Sequence, residues 1–490
     1  MTIAPGSPPN TTDLSPTDAA QPATPIEPPQ RLSDRLGKGI PETPIHWIEA
    51  AFVIMALIFF NSGNNGLEQC IPRFVVTLMR YLTLAYTLGY CCLNLGRILF
   101  TLRQNPWIVL LNLMALFSVA WSIQPEETVQ RGRDLFIMMS FSFYFATRFS
   151  LRQQAVLAFY AMMVTIAMSV FFVFTKPSVG KHTSGPFDGA WRGIFSHKNT
   201  TGAYMVLAAL ISAAMFATGP RDKRHFYAIG IFASLAMVQL STSKSSLIFG
   251  ILSLVITWFF IQYKWQGEWT IIGMAVGSTI LVMVGVTVLG DWVAIVEGLG
   301  KDPTLTGRTL IWEVAMRRLQ ERPILGFGRG AFYAPDSPYK IEAAYKFATN
   351  LSYVPPYSHN GYIDIMLDVG FGGFGLFLMA YLQGMKAAVL RAYDAKTPGD
   401  VFALAVMILM LLNNNTESFF MTSSNLFWVL LTTVCLSIKR EETMNRAIRE
   451  GEVREEMAQD YERRSLERLA ALDRERGLSP DDASVARTGP

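Results

Sequence analysis

Charge is what this sequence has least of. Asp, Glu, Lys and Arg make up 16% of its 490 residues, where a soluble chain of this length carries about a quarter. That scarcity excludes an ordinary soluble domain. The four cysteines, Cys70, Cys91, Cys92 and Cys435, lie in or near apolar stretches with neither metal nor disulfide spacing, and read as small packing residues. The five histidines, His46, His182, His197, His225 and His359, show no His-Glu-x-x-His spacing, which argues against a zinc site and leaves no metal expected. An Asp-x-Asp pair that would hold a metal–nucleotide sugar is absent, so nucleotide-dependent transfer has little support and no cofactor is expected. Gly326-Phe327-Gly328 belongs to no strand–helix unit, which rejects a dinucleotide reading. The net charge of +4 is too modest to suggest nucleic acid. The first 45 residues are polar and Pro-rich, so no cleavable signal peptide is expected there. They read as a disordered tail.

What the chain has instead is apolar residue, 51% of the total, arranged in blocks of about 17–25, the length that crosses a bilayer core. The blocks fall at 46–60, 75–95, 105–123, 134–150, 153–174, 199–217, 225–241, 245–263, 269–290, 360–383, 400–412 and 418–437. The expected fold class is therefore an all-α polytopic membrane protein of about twelve transmembrane helices. The expected organisation is a cytoplasmic tail at 1–45, a membrane domain at 46–437 that includes a large outer loop at 291–358, and a charged cytoplasmic helix and tail at 438–490. In that last segment Arg and Glu alternate around sparse apolar positions, the pattern of an amphipathic partner-binding or solvated helix.

Orientation follows from basic residues in short loops. Arg97 and Arg103, Arg148 and Arg152, Arg221 with Lys223 and Arg224, Lys264, and Lys386 with Arg391 and Lys396 fall on alternate loops, which places those loops and both termini in the cytoplasm. Two segments of the opposite face, 175–198 and 291–358, are basic despite that rule. Charge kept against the topological bias points to function.

Four polar pieces converge on that outer face. Trp191-Arg192-Gly193-Ile194-Phe195-Ser196-His197-Lys198-Asn199 leads into the sixth span. Ser241-Thr242-Ser243-Lys244-Ser245-Ser246 forms a tight turn. Gly307-Arg308 opens an amphipathic helix carrying Ile311, Trp312, Ala315, Met316 and Leu319 at helical spacing, with Thr306 or Thr309 as its cap. Arg308 in the first turn then presents a planar donor fork suited to phosphate oxygens. Pro356-Tyr357-Ser358-His359-Asn360-Gly361-Tyr362 leads into the tenth span and puts a histidine at the water–lipid boundary. Trp191, Tyr333, Tyr353 and Tyr357 fit a membrane-interface belt.

With these pieces in view, the chain resembles the O-antigen ligase/polymerase superfamily of bacterial membrane glycosyltransferases. The resemblance rests on Arg192-Gly193-Ile194-Phe195 with Asn199, Gly307-Arg308 with Trp312, Arg322-Pro323-Ile324-Leu325-Gly326-Phe327-Gly328, and Ser358-His359-Asn360-Gly361-Tyr362 followed by Asp368-Val369-Gly370. The Gly-Ile-Phe-Ser-His-Lys-Asn version is most similar to the exopolysaccharide-producing branch. Lys244 departs from the arginine carried by many members, so an identical phosphate clamp is not implied.

The resemblance implies a C-type glycosyltransferase-like fold in the bacterial inner membrane, with its active site on the periplasmic side. It implies a metal-independent polymerase or ligase that transfers a glycan from undecaprenyl diphosphate to a saccharide hydroxyl or lipid-linked acceptor, with a chain-length regulator and export proteins as partners. It places His359, Arg308 and Arg192 in catalysis, and Lys244, Lys198, His197, Asn199, Asn360, Trp312 and Arg322 around the substrate. His359 is favoured over His197 as the base, and Trp191, Tyr333, Tyr353 and Tyr357 become candidates to stack on sugar rings as well as to form the interface belt. Polymerase is favoured over ligase, and exopolysaccharide or O-antigen repeat units are the expected substrate. A polysaccharide transporter is the rival from another class, which predicts ionisable residues deep in several spans. Arg80 and Glu417 come nearest to that pattern.

Overall fold

The computed structural model describes residues 42–262, 308–347, 354–393 and 395–475. The expected span at 269–290, Lys264, Thr306, Gly307, Tyr353, the tail at 1–41 and the end of the chain at 476–490 lie outside the described residues. The described residues build helices: α1 Trp47–Cys70, α2 Arg73–Leu93, α3 Leu95–Leu102, α4 Pro106–Phe117, α5 Pro125–Arg148, α6 Leu151–Thr175, α7 Lys198–Thr218, α8 Arg224–Leu240, α9 Lys244–Gln262, α10 Arg308–Leu319, α11 Pro338–Phe347, α12 Gly361–Ala392, α13 Pro398–Asn413 and α14 Leu426–Glu475. Among them β-pairing is confined to one antiparallel bridge, Lys181 with Trp191.

The protein is thus an α-helical membrane protein. By length and composition, α2, α6, α7 and α12 are each able to cross a bilayer core, and Trp47–Asn61, Pro106–Ala120, Lys244–Phe259 and Pro398–Asn413 are shorter apolar helices. The chain divides into two units. Glu42–Arg446 forms the main one, and the described part of the other is the stretch of α14 from Ala447 on, where Asp460 pairs with Arg463 and Arg464 on an exposed helical face.

Helix boundaries follow local chemistry. Ser150 and Gln153 form a capping box on α6, as Thr397 and Asp400 do on α13. The span expected at 418–437 begins later, at Leu426, and its first eight positions form a loop. Thr422, Ser423, Ser424 and Asn425 compete with helical hydrogen bonding, and Met421 and Ser424 adopt positive φ. Asn425 Oδ1 accepts from the Phe427 amide, which helps start the helix there. The helix expected at 105–123 stops at Phe117 and closes in a 3₁₀ turn at Ser118–Ala120.

At the centre of the main unit lies α13, apolar on all sides and buried from Pro398 to Met410. It packs on α6, α7, α9 and α12. A helix without a polar face must be surrounded, so α13 is a core element of 16 residues.

Two ends of the unit are polar. One gathers Arg148 on Glu49, and Arg391 on both Asp400 and Glu441. The other carries the starts of α7 and α12 and the loop after α13. Between the ends, α12 is broken at Gly370 (φ 66°, ψ −173°). The Arg322–Gly328 segment docks on that break: Phe371 and Gly372 donate to the Pro323 and Ile324 carbonyls, while Phe327 and Gly328 donate to those of Leu367 and Asp368. Only glycine fits at 370, because a Cβ there would lie 2.2 Å from the Ile324 carbonyl oxygen. Buried Asp368 accepts from Arg329 Nη1 at 2.7 Å and from the Gly330 amide at 2.8 Å. Two motifs far apart in sequence thus form one joint.

Candidate functional site

The site is built on the loop between α13 and α14. Asn414 anchors it: its carbonyl accepts from the Gly361 amide, and its Oδ1 accepts from the Phe419 amide. Gly361 can approach only because it lacks a Cβ, which would lie 2.2 Å from Asn414 Oδ1. This contact fixes the start of α12 against the loop and sets the side chain of Glu417 among groups from three other segments.

Glu417 is the centre. Its Oε1 accepts from Asn199 Nδ2 at 3.0 Å and from Arg308 Nη2 at 3.4 Å. Its Oε2 accepts from the Tyr357 hydroxyl at 3.3 Å and lies 3.4 Å from His359 Nδ1. Arg308, the first residue of α10, also donates to the Thr416 carbonyl. Burial pushes the Glu417 carboxyl up, but the hydrogen bond and charge of His359, the charge of Arg308 and the bond from Asn199 outweigh it. They hold the group below the usual carboxylate range. A buried anion is thus matched to two cationic or protonatable groups.

His359 stands one position before the N-cap of α12 and has a left-handed backbone, φ 52°. Asn360 is the cap, its Oδ1 accepting from the Tyr362 and Ile363 amides at 3.0 and 3.3 Å. The Tyr357 ring lies 4.5 Å from that of His359. Trp312 Nε1 donates to the Ser358 carbonyl at 2.7 Å, and the Tyr333 hydroxyl lies 3.0 Å from Ser358 Oγ. Trp312 therefore holds the chain beside the histidine.

The start of α7 is different. His197 is itself the N-cap, its Nδ1 accepting from the Asn199 amide at 3.2 Å. His182 Nε2 accepts from the Lys198 amide at 3.2 Å, and the two imidazole rings are 5.3 Å apart. Burial lowers the His197 pKa; Glu417 opposes this, while His182, Lys198 and His359 add to it. Burial, then Arg192 and Lys198, lower that of His182. Lys198 Nζ donates to the carbonyl and hydroxyl of Thr242, each at 3.2 Å, and faces the Phe187 ring at 4.6 Å. Lys244 opens α9. Asn199 joins this region to the carboxylate, because its Oδ1 also accepts from Ser243 Oγ at 3.3 Å.

The sequence-derived residues therefore separate into groups. His359, Arg308, Asn199, Asn360 and Trp312 meet around Glu417. His197, Lys198 and Lys244 adjoin them through Asn199 and the Ser243 turn. Arg192 spends its guanidinium on its own loop, donating to the carbonyls of Val179 and Ser178 at 2.9 Å and of Ser196 at 3.5 Å. Arg322 donates to the Trp121 carbonyl at 2.8 Å and belongs to the joint at the α12 break. Sequence reasoning named His182 and Glu417 but placed neither at the site, where Glu417 is central. The signal for Glu417 was an acidic residue inside the polar run Asn413-Asn414-Asn415-Thr416-Glu417-Ser418 between two apolar blocks. Among the described residues no three His, Cys, Asp or Glu side chains cluster so as to hold a metal ion.

A protein-family model described as O-antigen ligase matches residues 229–378. That span contains Lys244, Arg308, Trp312, Arg322, His359 and Asn360, and leaves Arg192, Asn199 and Glu417 outside. The exopolysaccharide production protein ExoQ of Rhizobium meliloti (strain 1021) is 22% identical over 309 residues, 58% of this chain and 65% of that relative. The chain thus spans somewhat less than two thirds of the relative's length. Both matches bear out the resemblance carried by the motifs: this chain is similar to the O-antigen ligase/polymerase superfamily, on the side of its exopolysaccharide-producing members.

Proposed function

We propose that this protein polymerises saccharide repeat units at the periplasmic face of the bacterial inner membrane, transferring a glycan from undecaprenyl diphosphate to a saccharide hydroxyl. The observation that carries this reading is the buried Glu417 carboxylate, which engages His359, Arg308, Tyr357 and Asn199 together. An imidazole oriented by a carboxylate beside a fixed guanidinium supplies what glycan transfer from a diphosphate requires: a base and a site for negative charge.

His359 takes the proton of the acceptor hydroxyl as its oxygen attacks the anomeric carbon. Glu417, at Nδ1, orients the ring and stabilises the imidazolium that forms. The bond between the anomeric carbon and the phosphate oxygen breaks, undecaprenyl diphosphate leaves with the electron pair, and the anomeric centre inverts. Arg308 faces the developing charge, and Lys198 and Lys244, at the starts of α7 and α9, add positive charge to the same face. Arg192 acts indirectly, tying the loop before α7 into shape. His197 serves as a helix cap, which leaves His359 as the base. Glu417 sits in a loop rather than within a span, so it lends no support to a transporter.

The test is a product assay on the full chain in nanodiscs, with lipid-diphosphate oligosaccharide as donor and mass detection. Ladders of repeat units establish polymerisation. Transfer only to an added lipid-linked core makes the protein a ligase. Movement of intact lipid-linked glycan across the bilayer without transfer overturns the reading.

A further inference from the structure

Beside the Glu417 cluster lies a second feature that the mechanism does not use. A cavity of about 430 Å³ opens between α1, α5, the start of α7 and the loop after α13, within the ~300–1,000 Å³ range of small-molecule sites. Among the residues on its wall are Asn61, Gln130, Arg131, Thr200, Glu417 and Asn425. Glu417 and Tyr357 face both this space and the His359 cluster.

Its chemistry is that of a polyol site. Amides, hydroxyls, carboxylates and guanidiniums line it together, and the three carboxylates, from Glu127, Asp134 and Glu417, outnumber the two guanidiniums, from Arg131 and Arg133. Arg131 is further neutralised by Glu127, which accepts from its Nε at 2.6 Å. A diphosphate is disfavoured in such a place, and the cations that suit one, Arg308, Lys198 and Lys244, do not line it. Sugar hydroxyls each donate and accept, and planar amide and carboxylate groups can bridge neighbouring ones.

An independent observation points to a missing partner. Asn61 is fully buried, and its Nδ2 donates to Thr165 Oγ1 at 2.6 Å. Its Oδ1 has no hydrogen-bond partner among the described residues. Buried acceptors are rarely left so, because desolvation is not repaid. Asn61 lines the cavity, where a ligand hydroxyl would supply the bond.

We infer that this cavity is the acceptor subsite, holding the terminal sugars of the acceptor saccharide so that one hydroxyl reaches the His359–Glu417 pair. The inference rests on the glycosyltransferase reading above and adds where the acceptor's sugars sit.

The test uses the full-length protein in nanodiscs and two probes. One is the lipid-free repeat oligosaccharide, released by mild acid from the polyprenyl-diphosphate pool of the producing cells. The other is undecaprenyl diphosphate. Gln130 is exposed on α5, so Gln130→Trp should fold while filling the cavity mouth, and Gln130→Ala removes one contact without adding bulk. The expected result is at least a ten-fold loss of oligosaccharide affinity in Gln130→Trp and about three-fold in Gln130→Ala, with undecaprenyl diphosphate binding within two-fold of wild type. Wild-type oligosaccharide affinity in both variants, with glycan transfer intact, overturns the subsite alone. Equal loss of both probes in the two variants overturns the acceptor assignment, because the donor then occupies the cavity. A wild-type protein that binds neither probe and transfers nothing overturns the subsite and the glycosyltransferase reading together.

Discussion

Two helices of this protein begin with a histidine and an asparagine, and the two starts serve different ends. At α7 the histidine is the cap: His197 is extended, with φ −144°, and its Nδ1 satisfies a backbone amide. At α12 the cap is Asn360, and His359 stands one residue earlier in a left-handed turn. Capping directs a side chain back onto its own helix. A shift of one residue, with the opposite sign of φ, directs it across the site to a carboxylate instead. The same residue type at nearly the same place thus caps a helix in one case and faces a buried carboxylate in the other. Left-handed φ is uncommon outside glycine and persists where surrounding contacts enforce it. Here the enforcing contacts include the Asn360 cap, the Trp312 bond to Ser358 and the Gly361–Asn414 contact.

The sharpest way to break this comparison is to remove each histidine. His359→Ala should lower turnover by about 10²–10⁴-fold, the usual range for losing a general base, while donor affinity largely survives. His197→Ala should cost far less turnover and instead lower thermal stability. Equal turnover losses from both would dissolve the distinction.

The next effect belongs to the group that makes the two starts unequal. Glu417→Gln keeps the volume and removes the charge, and should lower turnover by about 10- to 100-fold. In a double-mutant cycle with His359→Ala the losses should be strongly non-additive, because the two act as a unit. Additive losses would mean that the carboxylate acts only through Arg308 or folding.

A smaller effect is expected from the caps. Asn360→Ala leaves two amides uncapped and should cost about 1 kcal/mol of stability, with an additional loss of turnover because His359 is no longer held. His197→Asn retains capping chemistry, so its stability should stay near wild type with turnover largely kept. Thermal unfolding beside single-turnover rates separates the two.

The least effect is in pH dependence. The folded-state pKa of His197 is lowered, so between that value and the ordinary ~6.5 the unfolded chain binds more protons than the folded one. Stability should therefore fall as pH drops below about 6.5, and His197→Asn should make that fall shallower. Glu417 acts with the same sign in a more acidic window: its pKa is depressed, so its contribution is present above the ordinary carboxylate value and is lost as pH falls through the folded one. A melting profile unchanged by His197→Asn would remove the histidine from the linkage.

The class and most of the pieces were legible in the order of residues alone. Apolar blocks with few charges dictate membrane helices whatever their neighbours, because an unpaired backbone cannot remain in lipid. The positions of His359, Arg308, Asn199 and Asn360 were legible because their motifs are local: a cap, a first helical turn, a polar run ending in an apolar one. Lys198 and Lys244 were legible for the same reason. What those pieces meet is set by long-range packing. Asn199 and Glu417 are 218 positions apart, and no local pattern encodes a contact closed over that distance. The start of α14 at Leu426 in place of 418 lengthens the loop that holds Glu417. Arg192 reads as a phosphate clamp in sequence, yet nearby loop carbonyls engage its donors. The polar cavity is the last such case, since its walls come from five segments whose shared chemistry appears only when packing brings them together.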